Sequence, residues 1–257
     1  EGVVNINNMK ITPLSKNVRD IILGSLLGDG SLAINPKYKS PRFSFRHSTK
    51  QKEYFFWKVE MLKEISGESC YWLQGSEKKP DGFGTAKYRF QSKALPSLTE
   101  IYNLTHKRVS GTKVRVTRKW LNQLSPLSLA IWWQDDGSLV SDSRQGVICT
   151  DSFSLEEVEI IHQYFKKVLK IETKIGQISN QDKYRIWIRS SEELKKFLRI
   201  IIPHIFAKSM LYKILLTYKD SQIQERWISE VEKLGNFSRA DLEKALFDKK
   251  SKSKQFR

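Results

Sequence analysis

The chain has 257 residues, enough for one large domain or two smaller ones sharing a core. Its 45 Lys and Arg against 28 Asp and Glu leave a net charge of +17, which favours a polyanionic partner, and 39% apolar residues exclude a disordered chain. Two cysteines, Cys70 and Cys149, exclude a disulfide framework, no Cys/His cluster has zinc spacing, and the longest apolar runs (residues 21–27 and 200–202) are too short to span a bilayer.

The first element is an apolar segment, residues 21–28, that ends at Asp29-Gly30-Ser31-Leu32, with Ser15 as its expected N-cap. Gly24 and Gly28 lie four apart on one face, so a second helix backbone can approach closely there. Arg42-Phe43-Ser44-Phe45-Arg46 then alternates as a half-buried strand, with Arg42, Ser44 and Arg46 on one face. Ser48-Thr49-Lys50-Gln51 resembles a capping box, and Phe55, Val59 and Leu62 follow at helical spacing. Lys87-Tyr88-Arg89-Phe90-Gln91 is a second alternating strand with Lys87, Arg89 and Gln91 on one face. A linker is expected at residues 102–111, followed by a third such strand carrying Lys113 and Arg115.

The pattern then repeats. Ser125-Pro126 opens a helix with Ser at the N-cap and Pro at the first helical position. That helix is apolar almost all round, includes Trp132 and Trp133 as core residues, and ends at Asp136-Gly137-Ser138-Leu139. Ser154-Leu155-Glu156-Glu157 is a capping box before Val158, Ile161, Phe165 and Leu169. Lys183-Tyr184-Arg185-Ile186 answers Lys87-Tyr88-Arg89-Phe90, and Arg185, Trp187 and Arg189 share one strand face. Four matches in the same order indicate a tandem duplication. The boundaries read as residues 14–106 and 107–220 for the two repeats and 221–257 for a basic extension, whose run Lys249-Lys250-Ser251-Lys252-Ser253-Lys254 reads as a solvated, disordered end. The fold class is α+β with antiparallel sheets.

Asp29 and Asp136 stand at helix C-termini, where the macrodipole disfavours a negative charge. A divalent cation shared by both carboxylates would compensate them if the two helices pack side by side. Such a site suits phosphodiester hydrolysis. Basic strand faces of Arg, Lys, Ser and Gln suit phosphates and base edges. His47, His106, His162 and His204 form no constellation, which disfavours a histidine-based nuclease.

Ile22-Leu23-Gly24-Ser25-Leu26-Leu27-Gly28-Asp29-Gly30 and Leu129-Ala130-Ile131-Trp132-Trp133-Gln134-Asp135-Asp136-Gly137 resemble the two motif copies of the LAGLIDADG homing endonucleases. The second copy departs from the pattern, with Ile131 and Asp135 where small residues are usual. The resemblance, which extends to about residue 218, implies two αββαββα repeats related by a pseudo-twofold, with saddle-shaped sheets straddling DNA and the motif helices between them. It implies a monomer that cuts a long asymmetric double-stranded DNA site across the minor groove, leaving 3′ overhangs. Magnesium is the implied cofactor, with calcium supporting binding without cleavage. Asp29 and Asp136 match the metal-binding position, with their neighbours Gly28 and Asp135 as further candidates; Asp135 could instead cap or contact backbone. By position, Lys113 and Lys213 correspond to a lysine that each repeat places near the active site, and Gln134 and Asp151 are candidates to support the ligands. Members are usually encoded by introns or inteins, which implies intron homing and, for an intron-encoded chain, an organellar setting in a mitochondrion or chloroplast. The alternative is an intron RNA maturase, or a relative that binds nucleic acid without cutting.

Overall fold

The computed structural model describes residues 12–75, 86–107, 113–140 and 142–255, with the backbone alone for Lys107, Lys113 and residues 252–255. The first repeat runs α1 (Lys16–Ser25), β1 (Gly30–Ala33), β2 (Arg42–Ser48), α2 (Lys52–Met61), β3 (Tyr71–Gln74), β4 (Lys87–Gln91) and α3 (Thr99–Thr105). A two-residue ladder, β5 (His106–Lys107) with β6 (Lys113–Val114), and a short α4 (Arg118–Leu121) lead to the second repeat. That repeat runs α5 (Pro126–Asp136), β7 (Gly137–Val140), β8 (Gln145–Ile148), α6 (Leu155–Tyr164), β9 (Lys174–Gln177), β10 (Tyr184–Ile188) and α7 (Ser191–Ile201). A 3₁₀ segment (Lys208–Lys213), α8 (Ser221–Leu234) and α9 (Arg239–Gln255) complete the chain.

Both repeats are αββαββα, and their sheets share one topology, β1-β2-β4-β3 and β7-β8-β10-β9, antiparallel throughout. The fold is α+β, as the alternating strands and the repeated order imply. Local chemistry sets the ends of the elements. Ser15 accepts the Val18 N–H, Ser125 accepts the Ser128 N–H behind Pro126, and Ser154 with Glu157 forms a complete capping box. The Ser48 box is only partial: Ser48 caps a 3₁₀ turn at Thr49–Gln51, and α2 starts after it without a side-chain cap.

Each sheet buries one face. Phe43, Phe45, His47 and Phe90 point into the core of the first, and Ile148, Ile186 and Ile188 into that of the second. Register places Ser44 opposite Gln91, Arg46 opposite Arg89 and Ser48 opposite Lys87 on the other face, with Trp72 beside Arg89. One apolar core runs through both repeats and includes Trp132 and Trp133 at 0% exposure.

The two motif helices α1 and α5 pack directly on each other, and glycine permits it. A Cβ on Gly24 would lie 2.2 Å from the Ser128 carbonyl oxygen, and one on Gly28 would lie 2.6 Å from the Asp135 Cβ. Ile131 is fully buried without disturbing this seam. The α-ladder of α1 ends at Ser25, and i→i−3 bonds from Leu27 to Gly24 and from Gly28 to Ser25 carry the chain to Asp29.

Three sequence expectations need correction. Helix α3 extends to Thr105, so Tyr102 is helical rather than linker, and residues 108–112 lie outside the described set. The strand expected around Lys113 and Arg115 shrinks to two residues and joins neither large sheet. The strand stops at Val114, and Val116 turns into the core, where its N–H bonds to Glu157. The lysine-rich end is helix α9, not a disordered tail: Lys249 is drawn inward and donates to the carbonyls of Tyr212 and Leu215, each at 2.7 Å. Burial pushes the Lys249 ammonium down to about 7.

Candidate active site

The packed ends of α1 and α5 gather three carboxylates. Asp29 is partly open, its side chain 43% exposed, whereas the Asp135 side chain is wholly buried. Asp135 receives Tyr54 Oη at 2.8 Å and Lys58 Nζ at 3.3 and 3.2 Å, one contact to each of its oxygens. Its Oδ2 also accepts the Asp29 backbone N–H at 3.4 Å, so it does contact backbone. His47 stands between the two carboxylates, with Nδ1 3.3 Å from Asp29 Oδ2 and Nε2 3.7 Å from Asp135 Oδ1. One ligand atom from each of Asp29, His47 and Asp135 can lie within 4.8 Å of the others, a spacing that could hold a metal ion.

Asp136 differs from both neighbours. Among the described residues, no side chain or N–H hydrogen-bonds its carboxylate; its backbone carbonyl accepts the Cys149 N–H at 3.0 Å. Burial, followed by repulsion from Asp29 and Asp135, pushes it up to about 7. Asp29 moves the other way: burial opposes its charge, but His47, Lys58 and Lys213 outweigh that and hold it below the ordinary carboxylate range. Among the described residues, the centre thus sets three carboxylates against two buried lysines.

The raised Asp136 has a consequence for stability. A carboxyl whose folded value exceeds its unfolded value of 3.8 favours the fold fully below that value, and this contribution is lost as pH rises through about 7. Asp136→Asn is therefore expected to melt higher than wild type at pH 8 in chelator, with an advantage that is clearly smaller at pH 5 and vanishes only below the unfolded value of 3.8. Equal melting differences at both pH values would contradict it.

Lys213 belongs to this centre. It is buried at the end of the 3₁₀ segment, and Nζ donates to the carbonyls of Trp133 (3.5 Å), Gln134 and Asp135 (3.3 Å), the last turn of α5. A cation at a helix C-terminus is well placed against the macrodipole. Burial lowers its proton affinity, while Asp135, Asp136 and Asp29 pull the other way. The segment is fixed from several sides. Trp133 Nε1 donates to the Lys213 carbonyl at 2.9 Å, Glu53 accepts the Lys208 and Ser209 N–H groups, and Lys249 holds the flanking carbonyls. The Lys113 side chain lies outside the described residues.

The other predicted residues fall into two groups. Arg42, Ser44, Arg46, Lys87, Arg89 and Gln91 share the uncovered face of the first sheet. Arg46 and Arg89 are directly opposite, an arrangement of like charges that an anion would relieve. Arg42 packs over the Tyr38 ring and Arg89 over Trp72. In the second sheet Arg185 and Trp187 share a face, with Arg189, just past the end of β10, over the Trp187 ring, but Arg185 is engaged by Asp151 through a two-pronged pair of 2.8 and 2.6 Å. Asp151 therefore serves Arg185, and the Gln134 amide donates back to Ala130 of its own helix. Arg115 lies beside α6, 3.6 Å from Glu156, and belongs to neither large sheet.

His47, Lys58 and Tyr54 were not among the residues the sequence singled out for the site. A signal existed for one: Lys58 falls in the buried stripe of α2 with Tyr54 and Phe55, a position a lysine does not occupy without a partner.

A family model for the LAGLIDADG DNA endonuclease family matches residues 19–197. The chain belongs to that family. Among curated relatives of this LAGLIDADG chain, DNA endonuclease I-ChuI of Chlamydomonas applanata is 28% identical over 220 residues, covering 78% of this chain and 95% of the relative. Protein RecA of Mycolicibacterium flavescens is 26% identical over 234 residues, covering 86% of this chain and 52% of the relative. The cytochrome b mRNA maturase bI2 of Saccharomyces cerevisiae is 26% identical over 211 residues, with 80% and 49% covered. The chain thus spans about half the length of the first curated relatives it matches. The solved structure of homing endonuclease I-WcaI, bound to its DNA recognition sequence, superposes with a TM-score of 0.71 at 22% identity, over 84% of this chain and 96% of that one. It has the same fold. No helix among the described residues is long and apolar enough to cross a membrane.

Proposed function

We propose that this LAGLIDADG chain is a site-specific, divalent-metal-dependent endonuclease that acts on double-stranded DNA as a monomer. The observation that carries this reading is the placement of Asp29 and Asp136 at the packed ends of α1 and α5, close enough for the Asp29 charge to raise the Asp136 carboxyl, with arginine-bearing faces on both sheets.

The residues present fit a hard divalent cation. Asp29 and Asp136 offer carboxylate oxygens, and among the described residues the Asp136 carboxylate lacks a hydrogen-bond partner and three carboxylates face two buried lysines. We assign Asp29 and Asp136 to hold it, with magnesium as the working ion and calcium as the ion that supports binding alone. Such an ion polarises the scissile phosphate and lowers the proton affinity of a bound water. The chain's own groups do the rest. Lys213, fixed by the carbonyls of α5, supplies a buried positive charge beside the carboxylates for charge developing on the phosphate. Lys113 is assigned the matching role by its place after the first sheet and ahead of the second motif helix. Arg42, Arg46, Lys87 and Arg89 grip one stretch of duplex, and Trp187 with Arg189 grip the other.

Cleavage selection from a randomised duplex library with magnesium, calcium or chelator tests the reading. Cutting at one long asymmetric site in magnesium, with binding only in calcium, is the expected result; cutting in chelator would overturn it. The yeast relative named as a maturase supports a second reading in RNA splicing, and binding to a structured intron RNA with no duplex cleavage would favour it. Binding should also weaken steeply with salt. The Arg46→Ala/Arg89→Ala variant is expected to flatten the slope of log affinity against log salt by roughly 2, about 1 for each lost phosphate contact. An unchanged slope would remove this face from the DNA interface.

A further inference from the structure

The buried group Asp135, Tyr54, Lys58 and His47 has no counterpart in the other half of the centre. Sheet register pairs Gly30 with Phe45 and Gly137 with Ile148, so His47 is equivalent to Thr150. Helices α2 and α6 start five residues after those positions, which makes Tyr54 equivalent to Glu157 and Lys58 to Ile161. Asp135 is equivalent to Gly28. The first repeat therefore holds a buried His and Lys facing an Asp from the second, whereas the second holds Thr and Ile facing a glycine. Glu157 is used in its capping box and on the Val116 N–H.

The direction of the contacts is fixed by chemistry. Lys58 Nζ lies 3.4 Å from His47 Nε2. An ammonium has only hydrogens to offer, so Nε2 must present its lone pair, and the imidazole proton sits on Nδ1. Nδ1 is buried and lies 3.3 Å from Asp29 Oδ2, within ion-pair range. It is an N–H directed at one oxygen of Asp29. Lys58 is held in turn by both oxygens of Asp135. Asp135 also takes the Asp29 backbone N–H, so it reaches Asp29 from two directions.

We propose that His47 is a positioning residue for Asp29, and that Asp135 of the second repeat sets it through Lys58. The second carboxylate of the Asp135-Asp136 pair is then not a spare ligand. It anchors a chain, Asp135 to Lys58 to His47 to Asp29, that orients one oxygen of Asp29 and leaves the other toward the cation. Among the described residues the Asp136 half has no such chain, so the two halves are unequal there. This rests on Asp29 being a metal ligand, as proposed above.

The test uses the full chain bound to the duplex recovered from the library selection, with calcium affinity measured by titration calorimetry. Asn places an N–H close to where His Nδ1 lies, and Gln places one close to Nε2. His47→Gln and Lys58→Met are expected to weaken calcium binding about 10–100-fold, while His47→Asn stays within about threefold of wild type. Equal calcium affinities for His47→Asn and His47→Gln would overturn the proposal. Nitrogen NMR of the wild-type imidazoles, with His47 assigned by its loss in His47→Asn, is expected to show the proton on Nδ1; a proton on Nε2 overturns the proposal whatever the calcium affinities are. Asp29→Asn separates the two levels. If it loses calcium affinity while His47→Gln and Lys58→Met keep theirs, only the positioning chain fails. If Asp29→Asn also keeps full affinity, the metal-site reading fails and the proposal falls with it.

Discussion

Asp29→Asn and Asp136→Asn are each expected to slow double-strand cleavage about a thousandfold or more, close to 4 kcal/mol of transition-state stabilisation, while calcium-supported affinity for the duplex changes only a few-fold. Asn keeps the shape of Asp and removes its charge, so the change reports on electrostatics rather than packing. The two sites should not fail identically. Asp29 is tied to His47 and, through its backbone, to Asp135, whereas the Asp136 carboxylate has no hydrogen bond among the described residues. Neutral Asn at 136 relieves repulsion with Asp29 and Asp135; Asn at 29 leaves His47 facing an amide. Strand-resolved nicking on the selected duplex, beside a binding assay in calcium, checks the prediction. Normal cleavage by both variants would end the assignment of these aspartates, and loss of binding in parallel with cleavage would make them structural.

The second large effect is one of packing. Gly24→Ala is expected to destabilise the protein by about 3 kcal/mol or more, lowering the melting temperature by roughly 6–12 °C, because overpacking a close seam has no inexpensive relaxation. The added Cβ would meet the Ser128 backbone carbonyl at 2.2 Å, and backbone cannot swing aside like a side chain. Relief requires α1 and α5 to separate, which also moves Asp29 from Asp136. Cleavage should therefore fall in the folded fraction as well as with stability. Gly67→Ala is the control: its new Cβ would meet only the Lys93 side chain at 3.6 Å, and a change near zero is expected. A Gly24→Ala protein that melts with wild type would mean the helices are not packed as closely as described.

Much of this was legible in the chain because it depends on short-range pattern. The alternation of Arg42 to Arg46 and Lys87 to Gln91 fixed which face of the first sheet is basic, since strand side chains alternate. Ser125-Pro126 and Ser154 with Glu157 marked helix starts because caps are local. The duplicated Asp-Gly ends drew attention to Asp29 and Asp136 through charge at a helix terminus, a property of the helix alone. Where patterning misled, a tertiary contact had intervened. The Lys113 strand stops at Val114 and Val116 docks into the core, and the basic tail was drawn into a helix because Lys249 meets free carbonyls at the end of the 3₁₀ segment.

By itself, then, the sequence determined the repeat, the α+β order of elements, the small-residue face of the first motif helix and the two aspartates that end the motifs. Only the tertiary structure decided how Asp135 differs from Asp136. The partners of Asp135 are Asp29, Tyr54 and Lys58, 106, 81 and 77 residues away, and no periodicity links positions so far apart. A lysine and a histidine buried in the first repeat are tolerable only because the second supplies the Asp135 carboxylate, packed against Gly28. That complementarity exists only once the two motif helices are in contact, and it divides two adjacent aspartates into one that is held and one that is open.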